Sequence, residues 1–175
     1  MSKSRILIAD DEKHTCQYIE KHIKMEPDIN ADIDFAHHFN QAIRMLDENP
    51  SYDLILIDLW MPDQTGTLDR KAGIKILEKS RSLQPRPQAI TVTANSSSQT
   101  ALETSGLGVY DYITKPINYT ELISLIKDIL NRPNKKYSQA IPDIFEEEEI
   151  IGRSQLMIEV MKKVGRVASS TADIL

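Results

Sequence analysis

Asp10-Asp11, Asp58, Thr93 and Lys115 are the polar residues in this chain whose types suit one another. Three carboxylates brought together repel, and at neutral pH such a cluster persists when a hard cation occupies it. Magnesium is the natural candidate. It takes oxygen ligands and keeps several waters, so two carboxylates and one backbone carbonyl leave positions open for a phosphoryl oxygen. A lysine opposite the metal supplies a second positive charge. With a hydroxyl nearby, the set suits stabilising charge on a phosphoryl group in transfer to an oxygen nucleophile. Asp58 is the best nucleophile, because aspartyl-phosphate chemistry needs one carboxylate presented at a strand end.

Each residue also has an ordinary structural reading. An Asp-Asp pair after a strand is by itself more often a helix N-cap. Asp58 alone reads as a loop carboxylate, Thr93 as a strand-end hydroxyl and Lys115-Pro116 as a turn. Only the combination is specific, and it needs a fold that gathers positions far apart in sequence.

The elements that would do so are legible. Short apolar runs at 5–9, 31–36, 52–57, 88–93 and 110–114 alternate with helix-period segments, the pattern of βα units around a parallel sheet. Several runs are continuous enough for burial on both faces. The chemistry-bearing residues all lie at or just after the carboxyl ends of these runs, the edge where open α/β sheets place their ligands. The first helix follows Asp11, with Cys16, Ile19 and Ile23 on one face, and stops before Pro27. The second covers 39–48 with Ala42, Ile43 and Leu46 inward. The third covers 73–83, with Ile74, Ile76 and Leu77 apolar. The fourth, 97–105, has capping residues but little apolar surface. The fifth follows Pro116, with Asn118 and Glu121 in capping-box spacing and Leu122, Leu125, Ile126 and Ile129 apolar.

Residues 131–145 have linker composition, with two prolines and scattered polar residues. Beyond them Leu156, Met157, Val160, Met161, Val164 and Val167 form one apolar side of a helical stretch. The 175 residues carry 21 Lys and Arg against 26 Asp and Glu, an acidic balance without a basic, aromatic-interleaved stripe, which argues against nucleic-acid binding. No apolar run approaches membrane-span length and no secretory signal opens the chain, so a cytoplasmic location is expected. The single cysteine, Cys16, forbids an internal disulfide and reads as a core thiol.

At this point the chain resembles the response-regulator receiver family, the phospho-accepting domains of two-component signalling. Ile6-Leu7-Ile8-Ala9-Asp10-Asp11 is similar to the family's acidic-pair strand. Asp53-Leu54-Ile55-Leu56-Ile57-Asp58-Leu59-Trp60-Met61-Pro62 resembles its phosphoacceptor motif. Thr91-Val92-Thr93-Ala94 resembles its hydroxyl motif, and Tyr110-Asp111-Tyr112-Ile113-Thr114-Lys115-Pro116 its lysine motif. The resemblance implies an α/β, doubly wound, flavodoxin-like fold with a five-stranded parallel sheet in order 2-1-3-4-5. It implies a regulatory domain rather than an enzyme. By the same resemblance Asp11 is a direct magnesium ligand and Asp10 a water-mediated one. Asp58 is both ligand and phosphorylation site, and Trp60 contributes its backbone carbonyl. Thr93 and Lys115 bind the phosphoryl group, and Tyr112 is the aromatic that turns inward when Thr93 moves. The implied partners are a sensor histidine kinase and a second copy, through the fourth helix, fifth strand and fifth helix.

Ile150-Ile151-Gly152-Arg153-Ser154 and the helical stretch after it resemble the opening of the ATPase domain in NtrC-like sigma-54-dependent activators. The expected organisation is a receiver over 1–131, a linker over 132–146 and the start of an ATPase domain over 147–175. No G-x-x-x-x-G-K-S/T phosphate loop is present. The expected origin is a longer transcription activator, whose ATPase domain would be a further partner; a short natural protein is the alternative.

The chain departs from the family between Asp58 and Thr93, where the gap is several residues longer than usual. The surplus lies at 64–71, ahead of Gly73, and is expected to be a tolerated surface loop, with a role in kinase recognition as the alternative. The bulk of Trp60, with Asn95, is expected to hinder attacking water and prolong the aspartyl-phosphate. Two rival readings stand beside the receiver. A haloacid-dehalogenase-type phosphatase would need a second aspartate where Trp60 stands. A receiver that no longer takes phosphate and serves as a dimerisation or interaction module is the alternative that the insertion keeps open.

Overall fold

The computed structural model describes residues 3–48, 51–63, 65–94 and 108–131. The fourth helical segment, Asn95, the linker and the tail read from the sequence lie outside these residues. Eleven elements follow in chain order. They are β1 Ser4–Ala9, α1 Lys13–Lys24, β2 Ala31–Ala36, α2 Phe39–Glu48, β3 Leu54–Asp58, β4 Met61–Pro62, β5 Leu68–Asp69, α3 Arg70–Arg81, β6 Gln88–Thr93, β7 Asp111–Thr114 and α4 Tyr119–Leu130. The helix labelled α4 is the fifth one expected from the sequence, and β6 and β7 are its fourth and fifth strands.

The five long strands form one parallel sheet in the order β2-β1-β3-β6-β7, as expected. β3 lies at its centre with Leu54, Ile55, Leu56 and Ile57 all buried, which explains the unbroken apolar run: both faces are covered. One face carries the core of Ile6, Ile8, Leu54, Leu56, Ile90 and Val92 against Cys16, Ile19 and Ile23 of α1 and Leu122, Ile126 and Ile129 of α4. The other packs Leu7, Ala9, Ile55 and Ile57 against Ala42 and Leu46 of α2 and Ile76 and Leu77 of α3. On the edge strand β2, Asp32 pairs with Lys3 and Asp34 with Arg5, charges that discourage further strand pairing. Among the described residues no helix is long and apolar enough to cross a membrane.

Three helix faces differ slightly from expectation. Ile43 and Ile74 are only partly buried, and in α4 Ile123 is buried while Leu125 is partly so. Each of these positions flanks its helix's apolar stripe, where a small rotation decides burial. α4 begins as the capping pattern predicts, with the Asn118 side chain accepting a bond from the Glu121 amide at 3.3 Å.

The larger correction concerns the insertion. Instead of a plain surface loop, Met61 pairs with Asp69 and Pro62 with Leu68 in an antiparallel hairpin. Asp63 Oδ1 holds the turn by accepting from the Thr65 amide at 2.7 Å, the Thr65 hydroxyl at 2.7 Å and the Thr67 amide at 3.0 Å. Gly66 supplies the positive φ of 84° that the turn requires. α3 then starts at Arg70, three residues before the expected Gly73. Gly73 lies within the helix because it faces backbone: a Cβ there would sit 2.5 Å from the Leu59 Cα and 2.7 Å from the Asp58 carbonyl oxygen.

Candidate functional site

β1, β3 and β6 are in parallel register, Ala9 beside Ile57 and Asp58 beside Val92, so their carboxyl ends finish at one edge. There carboxylate oxygens of Asp10, Asp11 and Asp58 all lie within 4.8 Å of one another. Lys115, at the end of β7, reaches across to them. Its Nζ lies 2.8 Å from Asp58 Oδ2 and 3.0 Å from Asp10 Oδ2. The sequence thus identified four groups that converge.

Asp10 and Asp58 are held alike. Asp10 Oδ1 accepts from the Glu12 amide at 2.9 Å, and Asp58 Oδ1 accepts from the Trp60 amide at 2.9 Å. Each carboxylate is therefore fixed through one oxygen by the amide two residues on and offers its other oxygen to Lys115. The Asp10 and Asp58 side chains are almost fully buried. Burial pushes the Asp10 carboxyl up to about 6, although the hydrogen bond and charge of Lys115 pull it down. Asp58 is also raised, again chiefly by burial. For Lys115, burial favours the neutral amine, yet the bonds and charges of Asp58 and then Asp10 outweigh it and leave the ammonium raised. One ammonium thus leaves the carboxylates short of positive charge, and the donor set is all hard oxygen. Both properties fit a hard divalent cation.

Thr93 is buried at the end of β6, one residue beyond the register partner of Asp58, and its carbonyl accepts the Lys115 amide at 2.8 Å. Tyr112, on β7 beside Thr91, is almost fully buried, so the ring is in an inward position. Trp60 is 38% exposed at the rim, and Leu68 of the hairpin is 54% exposed.

Two contributors were missed. Glu12 places Oε2 at 3.1 Å from Lys115 Nζ and accepts the Thr15 hydroxyl at 2.8 Å, adding a fourth acid. The run Asp10-Asp11-Glu12 was the available signal. His37, after β2, places Nδ1 at 3.0 Å from the Asp10 carbonyl oxygen, and the Cys16 thiol donates to the same oxygen at 3.4 Å. A carbonyl only accepts, so His37 carries its proton on Nδ1 in this contact. Cys16 is the buried thiol expected, pushed up to about 12 by burial and by the Asp10 charge.

The chain is similar to known proteins. The chain is 26% identical over its whole length to an NtrX-like response regulator of Rickettsia felis, covering 35% of that protein. It is 27% identical to the regulatory protein AtoC of Escherichia coli over 98% of the chain and 36% of the relative. The chain thus spans about a third of the length of these curated relatives. Among solved structures, the receiver domain of the Francisella response regulator 1452 superposes with a TM-score of 0.61 at 29% identity, covering 73% of this chain and 96% of that one. A CheY-like receiver domain protein of Methanospirillum hungatei gives 0.62 at 28% identity, covering 74% and 95%. Residues 6–127 match the response regulator receiver domain as a family, which takes in every strand end of the acidic pocket, and the chain belongs to that family.

Proposed function

We propose that the chain is a phospho-accepting receiver in which Asp58 takes a phosphoryl group from a phosphohistidine of a sensor kinase. The observation that carries the reading is the Lys115 ammonium held between Asp58 and Asp10, inside a cluster of three carboxylates short of positive charge. Asp58 Oδ2, now turned to Lys115, is the oxygen that attacks phosphorus. As the new P–O bond forms, the P–N bond to the imidazole breaks and its electron pair returns to the ring nitrogen. Asp10, Asp11, Asp58 and the Trp60 carbonyl would hold Mg2+, which offsets negative charge on the phosphoryl oxygens. Lys115 then exchanges carboxylate contacts for a phosphoryl oxygen, and the Thr93 hydroxyl donates to another.

Those bonds exist only in the phosphorylated state, so they shift the balance between conformations of Thr93 and Tyr112. The output reading is a homodimer through α4, β7 and the helical segment expected at 97–105, or restraint of an attached ATPase domain. Similarity to NtrX-like and AtoC proteins supports a transcription-regulating parent of the sigma-54-dependent kind acting in the cytoplasm. In it 1–131 would be the receiver, 132–146 the linker and 147–175 the opening of the ATPase domain. Magnesium-dependent labelling by acetyl phosphate that disappears in Asp58→Asn is the expected result. No labelling in the wild type would favour a non-phosphorylated interaction module, and labelling that persists in Asp58→Asn would remove Asp58 as the acceptor. The same assay reads the role of Trp60: Trp60→Ala is expected to lose its phosphate faster.

A further inference from the structure

The fourth acid at the pocket has no part in the chemistry above. Glu12 occupies the N-cap position of α1, yet its side chain makes no capping bond. Its Oε2 turns to Lys115 Nζ at 3.1 Å and to the Thr15 hydroxyl at 2.8 Å. Lys115 therefore touches three carboxylates at once, from Asp10, Glu12 and Asp58. Charge arithmetic gives this contact a consequence. Asp10, Asp11, Glu12 and Asp58 bring four negative charges against one ammonium. A divalent cation would leave one negative charge uncancelled, and the uncancelled charge meets every incoming phosphodonor. Without Glu12 the count would be neutral.

We infer that Glu12 is a specificity-determining residue for the phosphodonor: its carboxylate, held against Lys115, disfavours small, strongly anionic donors in free solution. The inference deepens the phospho-acceptor reading and rests on it. A kinase surface can offset the unfavourable charge with contacts of its own, whereas a small molecule cannot. Glu12 also occupies the ammonium that must turn to the phosphoryl oxygens, so a small donor meets both repulsion and a committed lysine. Residues whose charge acts across the site without touching the donor alter encounter and orientation, not the bonds exchanged.

Two small donors separate this role from a merely structural one. Acetyl phosphate is a dianion near neutral pH and releases acetate as its P–O bond breaks. Phosphoramidate is a zwitterion with one net negative charge and releases ammonia as its P–N bond breaks. Rates of Asp58 labelling by each, at saturating magnesium, would be measured by intact mass for wild type, Glu12→Gln and Glu12→Ala. Glu12→Gln keeps an acceptor for Thr15 and Lys115 and removes only charge. Its acetyl phosphate rate is expected to rise by about threefold relative to its phosphoramidate rate, the size expected for one unit charge acting through water at this range. Added salt should shrink the difference. Glu12→Ala should show the same change in ratio, even if loss of the Thr15 bond alters stability. An unchanged or lowered ratio with normal labelling at Asp58 overturns the role of Glu12 and leaves the receiver reading standing. If the wild type takes no label at Asp58 from either donor, both fall together.

Discussion

Lowering the pH should weaken magnesium binding in a window set by Asp10. In the metal-free pocket, burial pushes this carboxyl from 3.8 up to about 6. A cation needs the charged carboxylate, so below that point it must displace a proton. A single group ionising near 6 is mostly charged at about pH 7 and mostly protonated at about pH 5, so apparent affinity should fall about tenfold between them. Asp58, raised in the same direction, makes the fall steeper. Metal-free stability should move the opposite way. The folded state keeps this proton where the unfolded chain has lost it, so the contribution is complete below about 3.8 and disappears as the pH rises through about 6. The full swing is about 3 kcal/mol. Trp60 is the only tryptophan, and its amide is bonded to Asp58, so its fluorescence reports magnesium titrations at each pH. Urea melts with and without magnesium give the stability. A dissociation constant that stays flat across this window would refute the electrostatic account of the pocket.

Three other outcomes are expected. Gly73→Ala gains about 1 kcal/mol of helix propensity but forces a methyl into the backbone of Leu59. Overpacking costs about 1–3 kcal/mol and the atoms met are backbone, so a net loss in urea melts is expected; an unchanged midpoint would contradict it. Lys115→Met leaves Asp10 and Asp58 without their ammonium. Metal-free protein should lose about 3 kcal/mol, with magnesium restoring much of it, and equal melts with and without metal would count against this. Cys16, pushed up to about 12, should alkylate at least ~100-fold more slowly in the native protein than in urea at mildly alkaline pH. Reaction at the rate of a free thiol would show the burial to be wrong.

Much of the pocket was legible because parallel strands bury both faces. That burial writes itself as an unbroken apolar run, and the first polar residue after each run marks the functional edge. Ala31–Ala36, Phe39–Glu48 and Gln88–Thr93 fall where the sequence predicts. The hairpin was not legible, since two-residue strands have no periodicity to detect. Gly73 misled for a physical reason: glycine usually marks a helix boundary, but this one permits close approach inside the helix. Glu12 escaped notice because its role depends on where Lys115, a hundred residues away, directs its charge. His37 gave no signal of its own, as its contact is to a backbone oxygen, which any residue supplies.

The tight seat of Gly73 against Asp58 and Leu59 limits where this chain could grow. Helix α3 touches the loop after Asp58 backbone to backbone there, with no side chain to yield between them. Extra residues placed at the contact would lift the helix from the loop, whereas residues placed ahead of it need only leave and return. The chain does the latter: Met61 and Pro62 depart, Leu68 and Asp69 come back alongside them, and Gly73 of the helix sits against Asp58 and Leu59. Added length is thereby confined to an outward fold of chain, and displacement of the loop after Asp58 would be passed to the helix without slack.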